Sequence, residues 1–446
     1  MQLQKLFFLT LAPMLACGAG HAAPTAAAPA ERPDSAQSAP AEKRSLGSRF
    51  TVGGYGEAVV SRNFYSDNWK RYTDASLYKN DKGHGRFDLP HVTLFLGFDF
   101  GHGWTMGSEI EFEHGGTESA VEIEEEETGE YESEIERGGE VALEQFWLQK
   151  SFMPQLNVRL GHIIVPVGPT NNHHDPTEYF GVYRPEGDNT ILPCTWHETG
   201  VSLWGRAGNW RYEALFVAGL DADRFNNQNW IQGGAGSPYE FKIGNAYAGA
   251  FRVDNYSVRG LRLSLSGYYG KSASNSLKQY KFEGLSGKVL IGSFDFAYND
   301  HDWIARGGVT YGYLSHSAEI AEANRSLKGM GISPGTNIGE TAISVGVEAG
   351  YDLLALAPNV KERHRLYLFG RYDFYDPMLT MGKTRRGVPL ADEEQWGRQR
   401  VAVGLNYYPL PQIVIKGEYA HRIFKSQYNN EPALSFGVAY SGLFTR

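Results

Sequence analysis

The chain has 446 residues, a formal charge of −9, 21% charged and 41% apolar side chains, 53 glycines, and 24 Phe, 26 Tyr and 9 Trp. A polytopic helical membrane protein is excluded: it needs runs of about 18 or more apolar residues, and none occurs beyond the first twenty positions. The aromatic content excludes disorder throughout and the lack of a glycine period excludes a collagen-like chain, whereas high Gly and Tyr/Phe suit strands that are apolar on one face only.

At the start of the chain, Lys5 precedes the apolar stretch Leu6–Ala16 and the small residues up to Ala22. This is the pattern of a secretory signal peptide over residues 1–22, cleaved near Ala22 or Ala23. Cys17, following Met14-Leu15-Ala16, also loosely resembles a lipidation site. Residues 23–48, rich in Ala, Pro and Ser, read as a flexible periplasmic tether. Cleavage leaves Cys194 as the one remaining cysteine, so an intramolecular disulfide is impossible.

From Phe50 onward the side chains alternate with a period close to 2. Val92, Leu94, Leu96, Phe98 and Phe100 oppose Thr93, Phe95, Gly97 and Asp99, and Leu434, Phe436 and Val438 oppose Ser435, Gly437 and Ala439. Such segments occur at 50–64, 86–100, 103–113, 140–152, 155–166, 197–206, 209–220, 246–254, 259–270, 286–298, 301–315, 339–353, 363–376, 396–408, 411–424 and 433–445, sixteen in all. Tight turns alternate with long connections at 65–85, 114–139, 167–196, 221–245, 271–285, 316–338, 377–395 and 425–432. A soluble sandwich has no reason to alternate in this way. An outer-membrane barrel does, with short turns on the periplasmic side and long loops outside. The expectation is therefore an all-β fold, a transmembrane antiparallel β-barrel of about 16 strands over residues 49–446, with aromatic girdles that include Trp104, Trp210, Trp303, Tyr268-Tyr269 and Tyr407-Tyr408.

A barrel of that size encloses an aqueous channel. The alternation assigns to its lumen the basic residues Arg62, Arg159, Arg262, Arg306, Arg365, Arg371, Lys416 and Arg422, and the acidic residues Glu57, Glu109, Glu111, Glu113, Asp373 and Glu418. Rings of such charge set ion selectivity in pores. The connection 167–196 carries four prolines from Pro169 to Pro193 among apolar residues, which argues for an ordered loop that folds inward and forms a constriction. His173, His174, Asp175, Glu178 and Arg184 are its candidate lining residues. The first four could be read as metal ligands, but adjacent histidines tend to point apart, and constriction lining or loop-ordering hydrogen bonds are expected instead, with no metal.

Several stretches carry a resemblance: Arg159-Leu-Gly-His-Ile-Ile-Val-Pro-Val-Gly, Asn-x-His-x-Pro-Thr-Glu around His174, Arg184-Pro-Glu-Gly, and Thr195-Trp-His-Glu-Thr-Gly. They resemble the phosphate-selective porin O and P family, in particular its Bacteroides-type outer-membrane branch. The resemblance implies a sixteen-stranded porin, trimeric assembly, a third external loop folded into the lumen, and anion selectivity through lumen arginines and lysines. An arginine ladder cannot be matched residue by residue here, and the chain ends Phe444-Thr445-Arg446 rather than on an aromatic.

Residues 118–140 hold eleven glutamates against Arg137. They account for the acidic balance, and the rest of the exported chain is close to neutral. This acidic external loop is read as solvated, or as a trap that gathers divalent ions and neighbouring lipopolysaccharide. Phe225, Asn226, Asn227, Asn229, Trp230 and Tyr239 are of the kind that stack on sugars or stabilise a loop, and 317–328 reads as a short helix with Ser317 as N-cap and Gly329 beyond its end. The functional expectation is a passive outer-membrane porin of a Gram-negative bacterium, not an enzyme. Its partners are membrane lipid, lipopolysaccharide, small solutes or anions and its own copies, with no nucleic acid and no cofactor. The alternative is a closed barrel acting as a surface receptor or adhesion platform through its long loops.

Overall fold

The computed structural model describes residues 47–115, 119–125, 131–137, 140–236, 241–276, 279–326, 333–357 and 364–444. The signal peptide, Cys17, most of the tether and part of the acidic loop lie outside these residues, as do Tyr239 and Gly329.

In chain order the strands are β1 (Phe50–Asn63), β2 (His84–Asp88), β3 (His91–Gly101), β4 (Trp104–Glu113), β5 (Ser119–Glu125), β6 (Tyr131–Arg137), β7 (Glu140–Met153), β8 (Leu156–Ile164), β9 (His197–Ala207) and β10 (Trp210–Ala218). There follow β11 (Tyr247–Val258), β12 (Leu261–Lys271), β13 (Lys288–Asp300), β14 (Trp303–Leu314), β15 (Gly339–Asp352), β16 (Arg365–Met381), β17 (Arg398–Leu410), β18 (Ile413–Ile423) and β19 (Glu431–Leu443). All pairings are antiparallel between neighbours, and β1 closes the ring on β19 from Gly53↔Leu443 to Asn63↔Ala433. Closure removes the sheet edges that lipid would leave unsatisfied.

The architecture is thus a closed sixteen-stranded antiparallel barrel. β2 and β3 share one place in the wall: both pair with β1, and the strand expected over 86–100 breaks at Leu89-Pro90 because proline cannot donate to the ladder. β5 and β6 form a separate hairpin within the acidic connection, which the alternation did not predict. At the short-turn rim, β13 and β14 are joined by His301-Asp302, both in the left-handed region (φ 51° and 63°), as a two-residue type I′ turn requires.

The outward face is apolar. Leu94, Leu203, Leu265, Phe294, Val403 and Phe436 are all exposed, as are Trp104, Trp210 and Trp303 at the short-turn rim. Tyr269 also faces out, but Tyr268 points inward against Trp196. A lipid-facing position at mid-strand should not tolerate charge: Leu265→Arg is expected to destabilise the barrel by about 2–4 kcal/mol, measured by reversible urea unfolding in liposomes.

Chain from the long connections packs inside the wall over β8–β15. Trp196, Phe225, Trp230, Leu314 and Ile320 belong to one fully buried apolar cluster. Gly312 makes room for Trp230, since a Cβ there would lie 2.0 Å from its ring. Phe225 and Trp230 therefore serve packing, and sugar stacking is not available to them. Among the described residues, three short α-helices lie in the connections: α1 (Ala75–Tyr78), α2 (Glu186–Ile191) and α3 (Ser317–Arg325). Ser317 is the first helical residue of α3 rather than its cap, which is His316 at φ 60°.

Candidate functional site

Residues 165–196 leave β8 and return to β9, yet they meet inward-facing side chains from strands around most of the ring. Within a closed wall, one segment can reach opposite sides only through the lumen. At its base, the Gly168 N–H donates to Ser266 Oγ (3.1 Å) and its carbonyl accepts from Arg252 Nη1 (2.9 Å). Further along, His173 Nδ1 lies 3.1 Å from Glu178 Oε1, and its other ring nitrogen meets Arg262. Ser441 Oγ of β19 donates to Asp175 at 2.8 Å.

In the stretch Tyr179–Val182 the wall satisfies two amides and three carbonyls, as buried main-chain groups require. Phe180 and Val182 donate their N–H groups to Glu348 (3.3 Å) and Glu418 (3.2 Å). Lys416 Nζ donates to the carbonyls of Tyr179 (3.1 Å) and Gly181 (2.7 Å), and Asn406 Nδ2 to that of Phe180 (3.0 Å). The Phe180 ring stacks on Phe369, centroids 5.2 Å apart.

Two neighbouring side chains then read opposite kinds of wall. Arg184 points to the acidic side, where Nη2 lies 3.0 Å from Tyr55 Oη and 3.3 Å from Glu111 Oε1. Glu186, opening α2, points to the basic side. Arg422 Nε is 2.6 Å from it, Arg400 Nε 3.6 Å and Arg398 Nη1 4.0 Å, and the Tyr375 hydroxyl also donates to it. Burial pushes the Glu186 carboxyl up, but Arg422 and Arg400 outweigh it and hold the group at about 2. Asp188 goes the other way: burial, aided by Asp373, lifts it to about 6 against hydrogen bonds from Ser344 and Thr310. Burial also pushes the Cys194 thiol up to about 12, so it stays protonated at neutral pH.

Below this crossing lies a cavity of about 330 Å³, bordered by His173, Arg262, Arg306, Glu348 and Arg371. Its charges are largely paired, with Arg306 and Arg371 on Glu348 (2.7 and 2.8 Å) and Arg371 on Asp373 (2.6 Å).

The alternation places Arg262, Arg306, Arg371, Lys416, Glu109, Glu111 and Asp373 inward, around His173, His174, Asp175, Glu178 and Arg184 of the crossing segment. Arg159 and Arg365 also face inward but sit towards the short-turn rim. Arg159 stacks on Trp147 (4.6 Å), and Arg365 pairs with Asp352 (3.3 Å). Arg62 is a correction. Tyr55, Glu57, Val59, Ser61 and Asn63 are buried inward, and the β1–β19 ladder is unbroken across them, so Arg62 has the opposite parity and lies exposed on the outer face. Sequence reasoning passed over Arg252, Arg398, Arg400, Asp295 and Glu348, which the same parity could have found. Glu186 lies within the Arg184-Pro-Glu-Gly motif, where nothing local signals its partners.

No protein-family model matches the chain. An uncharacterized protein of Aquifex aeolicus (strain VF5) is 24% identical over 395 residues, 85% of this chain and 77% of that protein. Among solved structures, Salmonella typhi OmpF in complex with daunomycin aligns with 89% of this chain and 98% of its own at a TM-score of 0.52 and 10% identity. Pseudomonas putida OprB, in its high-pH structure, aligns with 90% of this chain and 95% of its own at 0.50 and 11%. The structural neighbours are outer-membrane porins, and the fold is that of a porin-type barrel.

Proposed function

We propose that the chain is a diffusion channel of a Gram-negative outer membrane, passing small hydrophilic solutes and ions through a lumen that residues 165–196 narrow. The observation that carries this reading is the sidedness of the wall: apolar outside, charged inside, with a proline-rich segment anchored across the interior. No covalent chemistry is needed. The acidic side (Glu57, Glu109, Glu111) and the basic side (Arg398, Arg400, Arg422) offer separate lanes to cations and anions, so we infer weak, mixed selectivity rather than a dedicated phosphate pore. Trimeric assembly is proposed on the resemblance alone.

The test is single-channel recording of detergent-folded protein in planar bilayers. Stepwise conductance with a reversal potential near zero in a KCl gradient is expected. Absence of conductance would overturn the channel and favour the closed-barrel receptor, and a strong cation preference would remove the anion lane.

A further inference from the structure

One cluster on the acidic side lies apart from the wall contacts that hold Tyr179–Val182. Glu109 of β4, Glu144 of β7 and His174 of the crossing segment each present a ligating atom, and the three atoms lie within 4.8 Å of one another. All three residues are buried. Glu144 owes its place to a bulge: the β4–β7 register steps from Glu109↔Gln145 to Ile110↔Leu143, leaving residue 144 over. Bulges re-aim side chains, and here Glu144 and Gln145 are both buried in succession.

Three observations point to a ligand. Glu144 is 1% exposed; its side chain hydrogen-bonds Glu111 and Thr195, but its Oε2 is buried with no hydrogen-bond partner, a costly state for a carboxyl oxygen. His174 Nδ1 lies 2.8 Å from the Asn171 carbonyl. A carbonyl only accepts, so Nδ1 carries a proton, and Nε2, 3.9 Å from Asp175 Oδ1, is the nitrogen that the neutral ring would offer to an ion. Gln145 donates to Glu109 Oε2 and so fixes that carboxylate in turn. Glu111 stands beside them and is paired with Arg184.

The geometry points to a site for one divalent transition ion, Zn²⁺ or Mn²⁺, held by Glu109, Glu144 and His174. An imidazole with two carboxylates and no thiolate selects that class. Because Glu109 and Glu144 belong to the wall and His174 to the crossing segment, the ion would rivet the segment to the acidic side, opposite the Glu186 contacts. The neighbouring group His91, Glu111 and Glu113 is a poorer candidate: it is partly exposed, and His91 Nδ1 is already 2.7 Å from Glu57 Oε1.

The experiment uses the full-length chain folded in detergent, stripped with EDTA and titrated with Zn²⁺, beside a variant lacking 118–137, which removes most of the competing glutamates. Folding is checked by heat-modifiable electrophoretic mobility. Retention of one Zn²⁺ per chain in the loop-deleted barrel, weakened at least tenfold by Glu144→Gln and by His174→Gln, is expected. Glu109→Gln stands in if either variant fails to fold. No Zn²⁺ binding by the folded loop-deleted barrel overturns the site, with Glu144 then carrying a proton instead. So does binding that these substitutions leave unchanged. The readout is metal content, so its failure leaves the channel reading untouched, and loss of conductance leaves the site untouched.

Discussion

Glu186→Gln is expected to raise channel conductance and move the reversal potential towards anions. The substitution keeps the volume and some hydrogen bonds of the side chain but removes the one loop carboxylate on which Arg398, Arg400 and Arg422 converge. Part of the charge of two of these arginines remains matched, because Arg400 also pairs with Glu418 and Arg422 with Glu431. The excess left is positive and faces the lumen, which draws anions. The same change releases α2 from the basic side. A carboxyl held at about 2 rather than its ordinary 4.5 is worth about 3 kcal/mol. Recordings of the variant that match wild type in both conductance and reversal potential would show that Glu186 does not neutralise this lane.

The pH dependence of the wild type follows with opposite signs at two neighbouring groups. Glu186 has a depressed folded value, so its contribution is complete above pH 4.5 and is lost as the pH falls towards about 2. Asp188 has a raised one: its ionised form is disfavoured by burial and Asp373, and stability is gained as the pH falls below about 6. Mild acid should therefore tighten α2 against β14–β16, and strong acid should free it. Conductance is expected to dip near pH 5 and rise again below about pH 3.

How far this arrangement can be read from the chain depends on the range of each interaction. Strand alternation is local, so the sixteen segments, their hairpins and the crossing segment's order were legible from residues such as Val92–Phe100 and the prolines from Pro169 to Pro193. Parity is local too, but it fails at a single slip. Glu57 and Arg62 cannot share a face in an unbroken strand, whereas Glu144 and Gln145 are both buried because a bulge intervenes. What stayed hidden was partnership at long range. Glu186 meets Arg422 across 236 positions of sequence and His174 meets Glu109 across 65, distances set by closure of the ring and not by any motif. The β5–β6 hairpin was missed for another reason: its glutamates read as a solvated charge run, although Val121, Ile123 and Ile135 alternate with them.

Arg252→Met is expected to cost about 3–5 kcal/mol of stability, the range for breaking a buried ion pair by removing one partner. Arg252 is fully buried in β11, with Nε 2.8 Å from Asp254 Oδ1, Nη2 3.1 Å from Asp295 Oδ1 and Nη1 2.9 Å from the Gly168 carbonyl. Methionine fills much of the volume but leaves two buried aspartates with less compensation: Arg262 remains 3.0 Å from Asp295 and Arg211 3.7 Å from Asp254. It also frees the base of the crossing segment, since Gly168 then keeps only its bond to Ser266 at this point. The double variant Arg252→Met/Asp295→Asn separates the two effects. Removing the charge on both sides should restore part of the unfolding free energy, because an apolar or neutral replacement of a whole buried pair is often tolerated. It should not restore the Gly168 anchor, so channel noise should stay above wild type in both variants. Urea unfolding in detergent gives the first quantity and single-channel recording the second. An Arg252→Met barrel within about 1 kcal/mol of wild type, and equally quiet, would mean that the segment is held by its contacts with β15–β18 and Glu186 rather than at its base.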